Sequence, residues 1–338
     1  MANNSYWNNR NVLITGINGF IGGNLAKACY DNGANVAGIV RNLKKQTFLF
    51  HEGVADKINL IHGDVTDREL IRSVIAEERI DCVFHLAAQV EVGVARAYPY
   101  LTWETNIKGT YALLEAIRES GEAIQAVVIA STDKAYGSYE QDKLPYREEY
   151  PLIPVYPYDV SKACADMIAR TYASDLYSLP IIITRFCNIY GPGQLNFSAL
   201  IPDVVRAALG FGEFIPRGNG LNIRDYIFVD DVVNLYMLFA EQISQNNKLR
   251  GEIFNAGTHQ PKQVKDIVRK IYEIMNRENE YRQMEGMWEN RQATGEIDFQ
   301  YMGYEKLNRF FDWKPSVEFD AGLRQTIAWY GNYFKDRL

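Results

Sequence analysis

A tyrosine and a lysine four residues apart offer the most specific chemistry in the chain. Tyr158 and Lys162 lie in PYDVSKACADMIARTY, which starts at Pro157, and proline favours the first position of a helix. Residues four apart share one helix face, and a nearby ammonium lowers a tyrosine pKa from its usual value of about 10. The pair therefore predicts a base for a substrate hydroxyl. Tyr139 and Lys143 have the same spacing but lie in a polar loop, so spacing alone proves little.

A second polar cluster follows an apolar run. The sequence STDKAYG begins at Ser131, directly after AVVIA. We expect Thr132 to hydrogen-bond the same substrate hydroxyl as Tyr158. Asp133 and Lys134 then form an acid and a base on adjacent residues, a combination suited to proton transfer in both directions.

Short β-rich runs alternate with helical periodicity through the first half of the chain. The runs are NVLIT at 11, NVAGIV at 35, INLIH at 58, CVFHL at 82, AVVIAS at 126 and PIIITR at 180. Continuous apolar strands divided by helices predict a parallel sheet covered on both faces. The fold class is therefore α/β, a Rossmann-type doubly wound sheet, with the polar residues at the crevice beside the strand ends.

A glycine-rich turn joins the first strand to the next helix. In TGINGFIGGNLA the glycines are spaced G-x-x-G-x-x-G, which lets the backbone approach a pyrophosphate at a helix N-terminus. The turn predicts dinucleotide binding, and a glycine-rich turn without a ligand is the alternative. The predicted contacts are Gly16, Asn18, Gly19, Phe20, Ile21 and Gly22.

The end of the second strand bears on the choice between NAD and NADP. An NAD site commonly has an acid there to hold the ribose hydroxyls, whereas this chain has Val40 and Arg41, followed by Lys44 and Lys45. Arginine suits the 2′-phosphate of NADP. We therefore favour NADP and keep NAD as the alternative, because solvated arginines are common in loops.

Two further strand ends are predicted to line the cofactor. In GDVTD, Asp64 lies where a carboxylate could reach the adenine amino group. In HLAAQ, small side chains lie where the backbone must pass the phosphates. The predicted contacts from these segments are Asp64, Val65, Leu86, Ala87, Ala88 and Gln89.

The strand and helix rhythm breaks after Arg185, where turns such as YGPG and PRGNG appear. RDYIFVDDVVNLYMLFAE and EIFNAG again resemble a helix and a strand of the main sheet. We predict a dinucleotide-binding domain of residues 1–185 plus about 225–257. A smaller, discontinuous C-terminal substrate domain would contain about 186–224 plus 258–338.

Composition argues against several partners. The 338 residues carry a net charge of -6 and no block of five basic residues, which argues against nucleic acid. No apolar run approaches the roughly 18 to 20 residues of a membrane span, and MANNSYWNNR lacks the apolar stretch of a signal peptide. We expect a soluble, cytoplasmic protein. The four cysteines and four histidines are scattered, so no metal site is predicted.

The motifs together resemble the extended short-chain dehydrogenase/reductase family, in its nucleotide-sugar branch. The resemblance covers about residues 10 to 335 and rests on TGINGFIGG, GDVTD, HLAAQ, STDKAYG, PYDVSK, RFCNIYGPG and IRDYIFVDDV. The Asp-Lys pair resembles CDP-glucose 4,6-dehydratases, and GIVRN resembles GDP-mannose 4,6-dehydratases. The resemblance implies a nucleotide-sugar 4,6-dehydratase that recycles NADP or NAD. A nucleotide-sugar 4-epimerase and a non-catalytic dinucleotide-binding scaffold are the alternatives.

The resemblance also implies how a nucleotide-diphosphate hexose is held. Arg224 in NIRDY and Arg291 in ENRQATGEID match positions that hold the diphosphate, and arginines can grip it through bidentate bonds. LNFSALIP matches a segment that wraps the nucleotide. Helices near 104–119 and 158–178 resemble those that pair in family dimers, so we expect a homodimer. The predicted substrate contacts are Asn188, Asn196, Leu200, Arg217, Arg224 and Arg291.

The implied reaction assigns a role to each catalytic candidate. Tyr158 would remove the proton of the sugar 4-hydroxyl while hydride leaves carbon 4, and the 4-keto group would acidify carbon 5. Asp133, kept protonated by burial, would donate to the hydroxyl leaving carbon 6. Lys134 would take the carbon 5 proton as a neutral amine, or stay charged and stabilise the enolate. An ion pair of Lys134 with Asp133 or Glu140 is its non-catalytic alternative.

Overall fold

Seven parallel strands form the main sheet of the computed structural model, which describes residues 4–121, 124–289, 291 and 297–335. The sheet order is β10-β6-β5-β4-β1-β2-β3. The strands of the chain are β1 (Asn11–Thr15), β2 (Asn35–Val40), β3 (Asn59–His62), β4 (Cys82–His85), β5 (Ala126–Ala130), β6 (Ile181–Phe186), β7 (Asn188–Tyr190), β8 (Ile223–Arg224), β9 (Tyr226–Phe228), β10 (Ile253–Ala256), β11 (Lys262–Gln263) and β12 (Phe299–Gln300).

The strand pairing confirms the predicted Rossmann-type fold. Every pair in the main sheet is parallel, and the strand order reverses between β1 and β4, where such sheets open a ligand crevice. The strand predicted from residue 58 begins at Asn59, and the one predicted from residue 180 begins at Ile181. The segment EIFNAG, predicted to rejoin the main sheet, contains strand β10, which pairs with β6.

Helices cover both faces of the sheet because the side chains of each buried strand alternate between two apolar clusters. In β1, Val12 and Ile14 pack into one cluster and Leu13 into the other. The helices are α1 (Asn4–Trp7), α2 (Phe20–Asp31), α3 (Phe48–His51), α4 (Arg68–Glu77), α5 (Val92–Ala97), α6 (Pro99–Trp103), α7 (Gly109–Ser120), α8 (Pro157–Ala173), α9 (Leu200–Ala208), α10 (Val229–Gln245), α11 (Val264–Ile274), α12 (Glu278–Met284), α13 (Glu305–Phe311) and α14 (Phe319–Lys335).

Short helical turns complete the chain. A π-helical turn, Glu104–Lys108, lies between α6 and α7. The 3-10 turns are Ala55–Lys57, Asp133–Tyr136, Gln141–Lys143, Asn247–Leu249 and Glu285–Trp288. In the described ranges, no helix combines the length and apolar character needed to cross a membrane.

Two small sheets are built mainly from segments that follow β6. Strand β8 lies between β11 and β12, so Arg224 has Lys262 on one side and Gln300 on the other. Strand β7 pairs with β9. The predicted division of the chain into two domains stays a prediction, but these sheets give the later segments a scaffold separate from the main sheet.

Candidate active site

A cavity of about 1460 Å³ brings together residues from the main sheet and from the later segments. Its lining includes predicted dinucleotide contacts, catalytic candidates and substrate contacts. The predicted residues that line it are Gly16, Asn18, Gly19, Phe20, Ile21, Gly22, Arg41, Val65, Leu86, Ala87, Ala88, Thr132, Asp133, Lys134, Tyr158, Lys162, Asn188, Asn196, Leu200, Arg217 and Arg224.

Three predicted contacts do not line this cavity: Asp64, Gln89 and Arg291. The Asp64 carboxylate accepts from the Thr66 amide and hydroxyl, both at 2.9 Å. Gln89 exchanges backbone hydrogen bonds with the side chain of Asn106, and the Arg291 guanidinium donates to the carbonyl of Pro216. These contacts hold loops in place, and a ligand role for these three residues stays a prediction.

The glycine turn requires glycine because other backbone lies against it. Gly16 has φ +72°, and a Cβ there would lie 2.7 Å from the amide nitrogen of Ala87. A Cβ on Gly22 would collide with the carbonyl oxygen of Gly16. The turn therefore brings the N-terminus of α2 to the cavity wall, where its amide dipoles favour an anion.

Cationic side chains lie at the end of β2. Arg41 is 58% exposed, and its Nη1 lies 3.8 Å from Oδ2 of Asp64. Lys44 and Lys45 also line the cavity. At this exposure an ion pair contributes little to stability, so the guanidinium is available to a phosphate at small cost.

Burial controls the protonation of the tyrosine and lysine on α8. Lys162 donates from Nζ to the carbonyl of Ala130 at 2.5 Å, and burial lowers its pKa to about 8. Burial raises the pKa of Tyr158, and the carboxylates of Asp159 and Asp133 raise it further. The protein alone therefore does not lower the pKa of Tyr158 as the sequence predicted, because burial and the two neighbouring carboxylates all raise it.

Asp133 lies where burial shifts its carboxyl group toward the protonated form. It is 3% exposed, and its Oδ1 accepts from the Thr132 hydroxyl at 3.0 Å. Its Oδ2 is buried and has no hydrogen-bond partner among the residues that the structure describes. Burial raises its pKa to about 6, although Lys134, Thr132 and Arg224 each act to lower it. The raised pKa supports the predicted role of Asp133 as a proton donor.

Lys134 does not form the rim ion pair that the sequence left open. Its Nζ donates to Oε1 of Gln300 at 3.4 Å. In the part of the chain that the structure describes, Lys134 forms no salt bridge with Asp133 or with Glu140. The amino group of Lys134 is therefore directed toward strand β12.

Comparisons with known proteins place the chain in a family. Residues 13–326 match the family model described as GDP-mannose 4,6 dehydratase. The chain belongs to the GDP-mannose 4,6-dehydratase family. This membership confirms the resemblance to nucleotide-sugar dehydratases that the motifs indicated.

Curated relatives of this family member are named as dehydratases. It is 33% identical to dTDP-glucose 4,6-dehydratase 1 of Escherichia coli K12, over 94% of this chain and 92% of that protein. It is 29% identical to a trifunctional UDP-glucose 4,6-dehydratase, 3,5-epimerase and reductase of Arabidopsis thaliana, over 95% of this chain. The chain spans about half (47%) of the length of that relative.

Solved structures similar to this family member include dehydratases and epimerases. The dTDP-glucose 4,6-dehydratase of Bacillus anthracis, in complex with NAD, has a TM-score of 0.80 at 29% identity, covering 96% of this chain and 97% of that one. The UDP-glucose 4-epimerase of Thermotoga maritima, with UDP-glucose, has a TM-score of 0.80 at 25% identity, covering 96% and 99%. Fold alone does not separate the two activities.

The sequence analysis missed two polar residues in the cavity of this dehydratase-family member. Asp159 is buried, and burial raises its pKa to about 6. The hydroxyl of Ser131 is buried and has no hydrogen-bond partner in the described part of the chain, and both residues line the cavity. A carboxylate directly after Tyr158 in PYDVSK was a signal that could have indicated Asp159.

A network of hydrogen bonds around the π-helical turn holds the start of helix α8 in this family member. Nδ2 of Asn106 donates to the Ser161 hydroxyl at 2.8 Å and to the Gln89 carbonyl at 3.1 Å. Ser161 in turn donates to the carbonyl of Tyr158 at 2.6 Å. The network joins the loop after β4 to the first turn of α8, which carries the tyrosine.

Proposed function

We propose that the chain is a nucleotide-sugar 4,6-dehydratase, which converts a nucleotide-diphosphate hexose to the 4-keto-6-deoxyhexose and water. One observation carries the proposal: a buried carboxyl group with a raised pKa, Asp133, shares a cavity with Tyr158, Lys162 and a dinucleotide-type glycine turn. Oxidation at carbon 4 needs the last three features, whereas loss of a hydroxyl needs an acid as well.

The residues fit a nicotinamide dinucleotide. A side chain at Gly16 would meet the backbone at Ala87, and the N-terminus of α2 lines the cavity. Within the described ranges, the Ser131 hydroxyl has no hydrogen-bond partner. When bound, the nicotinamide would take a hydride from carbon 4 and return it to carbon 6. We favour NADP over NAD, because Arg41, Lys44 and Lys45 lie at the end of β2 and suit a 2′-phosphate.

The side chains would then move protons in a fixed order. The Tyr158 side chain, in its phenolate form, takes the proton of the sugar 4-hydroxyl, and Thr132 lines the same cavity. Asp133 gives a proton from its unpartnered oxygen to the hydroxyl that leaves carbon 6, so that water departs. Lys134 takes the proton from carbon 5 or stabilises the negative charge that the proton leaves behind, and carbon 5 regains a proton when the hydride returns to carbon 6. Lys162, held on the Ala130 carbonyl, would favour the phenolate together with the positive charge that an oxidised nicotinamide would supply.

The nucleotide-diphosphate would lie against the later segments. Arg224 is buried on β8, and Arg217 lines the same cavity, so the two guanidinium groups suit a diphosphate. The Arg224 guanidinium also donates to backbone carbonyls of Ile223 and Asp298, which fixes its orientation. The other predicted substrate contacts that line the cavity are Asn188, Asn196 and Leu200; Arg291 is the predicted contact outside its lining.

A homodimer is supported by an exposed apolar surface near α6, α7 and α8. Large side chains that stay exposed there include Tyr98, Tyr100, Leu101, Trp103, Tyr111 and Met167. Monomeric proteins rarely expose large contiguous apolar patches. Sedimentation velocity showing one species of monomer mass at micromolar concentration would contradict this part of the proposal.

The alternative is a nucleotide-sugar 4-epimerase, which the likeness to the Thermotoga maritima enzyme favours. An epimerase needs the Tyr158 and Lys162 pair but no acid at carbon 6. The purified protein should be incubated with a panel of nucleotide-hexoses, and the masses of the products should be measured by mass spectrometry. Loss of one water from one or more members supports the dehydratase. An isomeric product of unchanged mass would establish the epimerase.

A further inference from the structure

We propose that Gln300 is a positioning residue for the elimination step, holding the amino group of Lys134 in place from strand β12. The inference rests on the proposed function. It assigns to the small sheet a part in catalysis beyond binding the nucleotide.

The small sheet brings Gln300 to the catalytic turn. Strand β12 pairs in parallel with β8, so Gln300 lies opposite Arg224, whose side chain lines the cavity. Lys134 Nζ donates to Gln300 Oε1 at 3.4 Å across 166 residues of sequence. A charged lysine amino group can donate hydrogen bonds but cannot accept them. The Gln300 amide must therefore present its oxygen to Lys134.

The burial of Gln300 is unfavourable without a function. The residue is 0% exposed, and its Nε2 is a buried donor without a partner among the described residues. A buried unsatisfied donor is destabilising, whereas an apolar side chain of similar shape would not be. The hydrogen bond from Lys134 to the Gln300 side chain would explain why a glutamine occupies this position of β12.

The contact limits where the lysine can reach. Lysine has a flexible four-carbon stem, and the charge of Lys134 acts on the carboxyl groups of both Asp133 and Asp159. Without an acceptor on β12, the amino group would be free to turn toward these carboxylates. Gln300 therefore keeps Lys134 extended and leaves Asp133 to act as the acid.

The first test compares Gln300→Met with Gln263→Met, the same change on β11 of the same small sheet. Gln263 does not line the cavity. We expect kcat of Gln300→Met to fall about tenfold with KM within twofold, while the reduced-cofactor signal of a single turnover survives. Solvent deuterium uptake at carbon 5 should fall in parallel, and Gln263→Met should behave as wild type.

A double-mutant cycle separates positioning from a general structural effect. In a Lys134→Met background, Gln300→Met should cause no further loss of kcat, because the group to be positioned is gone. An equal tenfold loss in that background would overturn the proposal, and so would an unchanged kcat in the single variant. Thermal unfolding of Gln300→Met should show a midpoint equal to or above that of wild type, which establishes that the variant folds.

A measurement that does not depend on activity completes the test. The acetylation rate of Lys134 by acetic anhydride, read by peptide mass spectrometry, should rise at least threefold in Gln300→Met and stay unchanged in Gln263→Met. If no hexose loses water but this contrast holds, the proposed function fails and the contact stands. If water is lost yet the Lys134 rate is unchanged in Gln300→Met, the positioning role fails.

Discussion

Replacing Asp133 by asparagine should stabilise the protein while removing the acid. Burial raises the Asp133 pKa from 3.8 to about 6. A shift of about two units corresponds to about 3 kcal/mol between the two protonation states. The native state therefore binds this proton more tightly than the unfolded chain does, and ionisation of the carboxyl group disfavours folding.

The sign of the pH dependence follows from the raised pKa. Below pH 3.8 the carboxyl group is protonated in both states and carries no penalty. As the pH rises, the unfolded chain ionises first, and above about 6 the full penalty of about 3 kcal/mol is present. Asparagine does not titrate, so the stability advantage of Asp133→Asn should grow from about 0.6 kcal/mol at pH 4 to about 3 kcal/mol at pH 7.

Urea unfolding of both proteins at pH 4, 5, 6 and 7 measures this difference. Asp142→Asn is the matched control, because it makes the same side-chain change at an exposed position of the 3-10 turn Gln141–Lys143. The Asp133 variant should also lose water elimination by about 100-fold or more, the usual scale for a positioned acid. A stability difference that does not change with pH, or a wild type more stable at pH 7, would refute the reasoning.

Three further substitutions test the other assignments. Tyr158→Phe should bind nucleotide-sugar almost normally yet give no reduced-cofactor absorbance in a single turnover. Hydride transfer retained in this variant would show that another residue is the base. Arg41→Ala should narrow the preference for NADP over NAD in calorimetry; a native protein that binds NAD tenfold better would end that assignment. Lys134→Met should keep the reduced-cofactor signal and lose deuterium uptake at carbon 5 by about 100-fold or more, whereas wild-type uptake and product formation would exclude both of its proposed roles.

The sequence by itself determined the main sheet, the glycine turn and the tyrosine–lysine pair. Each depends on residues close in the chain: the short apolar runs such as NVLIT, the glycine spacing in TGINGFIGG, and the four-residue spacing of Tyr158 and Lys162. Local backbone geometry limits such features to few arrangements. The predicted first residues of the strands therefore differ from those in the structure by only about one position, as at Asn59 and Ile181.

Only the tertiary structure decided which polar groups share the cavity and what charge they carry. Lys134 contacts Gln300 across 166 residues, while Arg291, predicted to hold the diphosphate, donates to the Pro216 carbonyl. The pairing of β12 with β8 brings Gln300 to the site, and no local pattern encodes that pairing. Burial then sets protonation: it raises the pKa of Asp133 and Tyr158, because desolvation depends on every segment packed around a group and not on its neighbours in sequence.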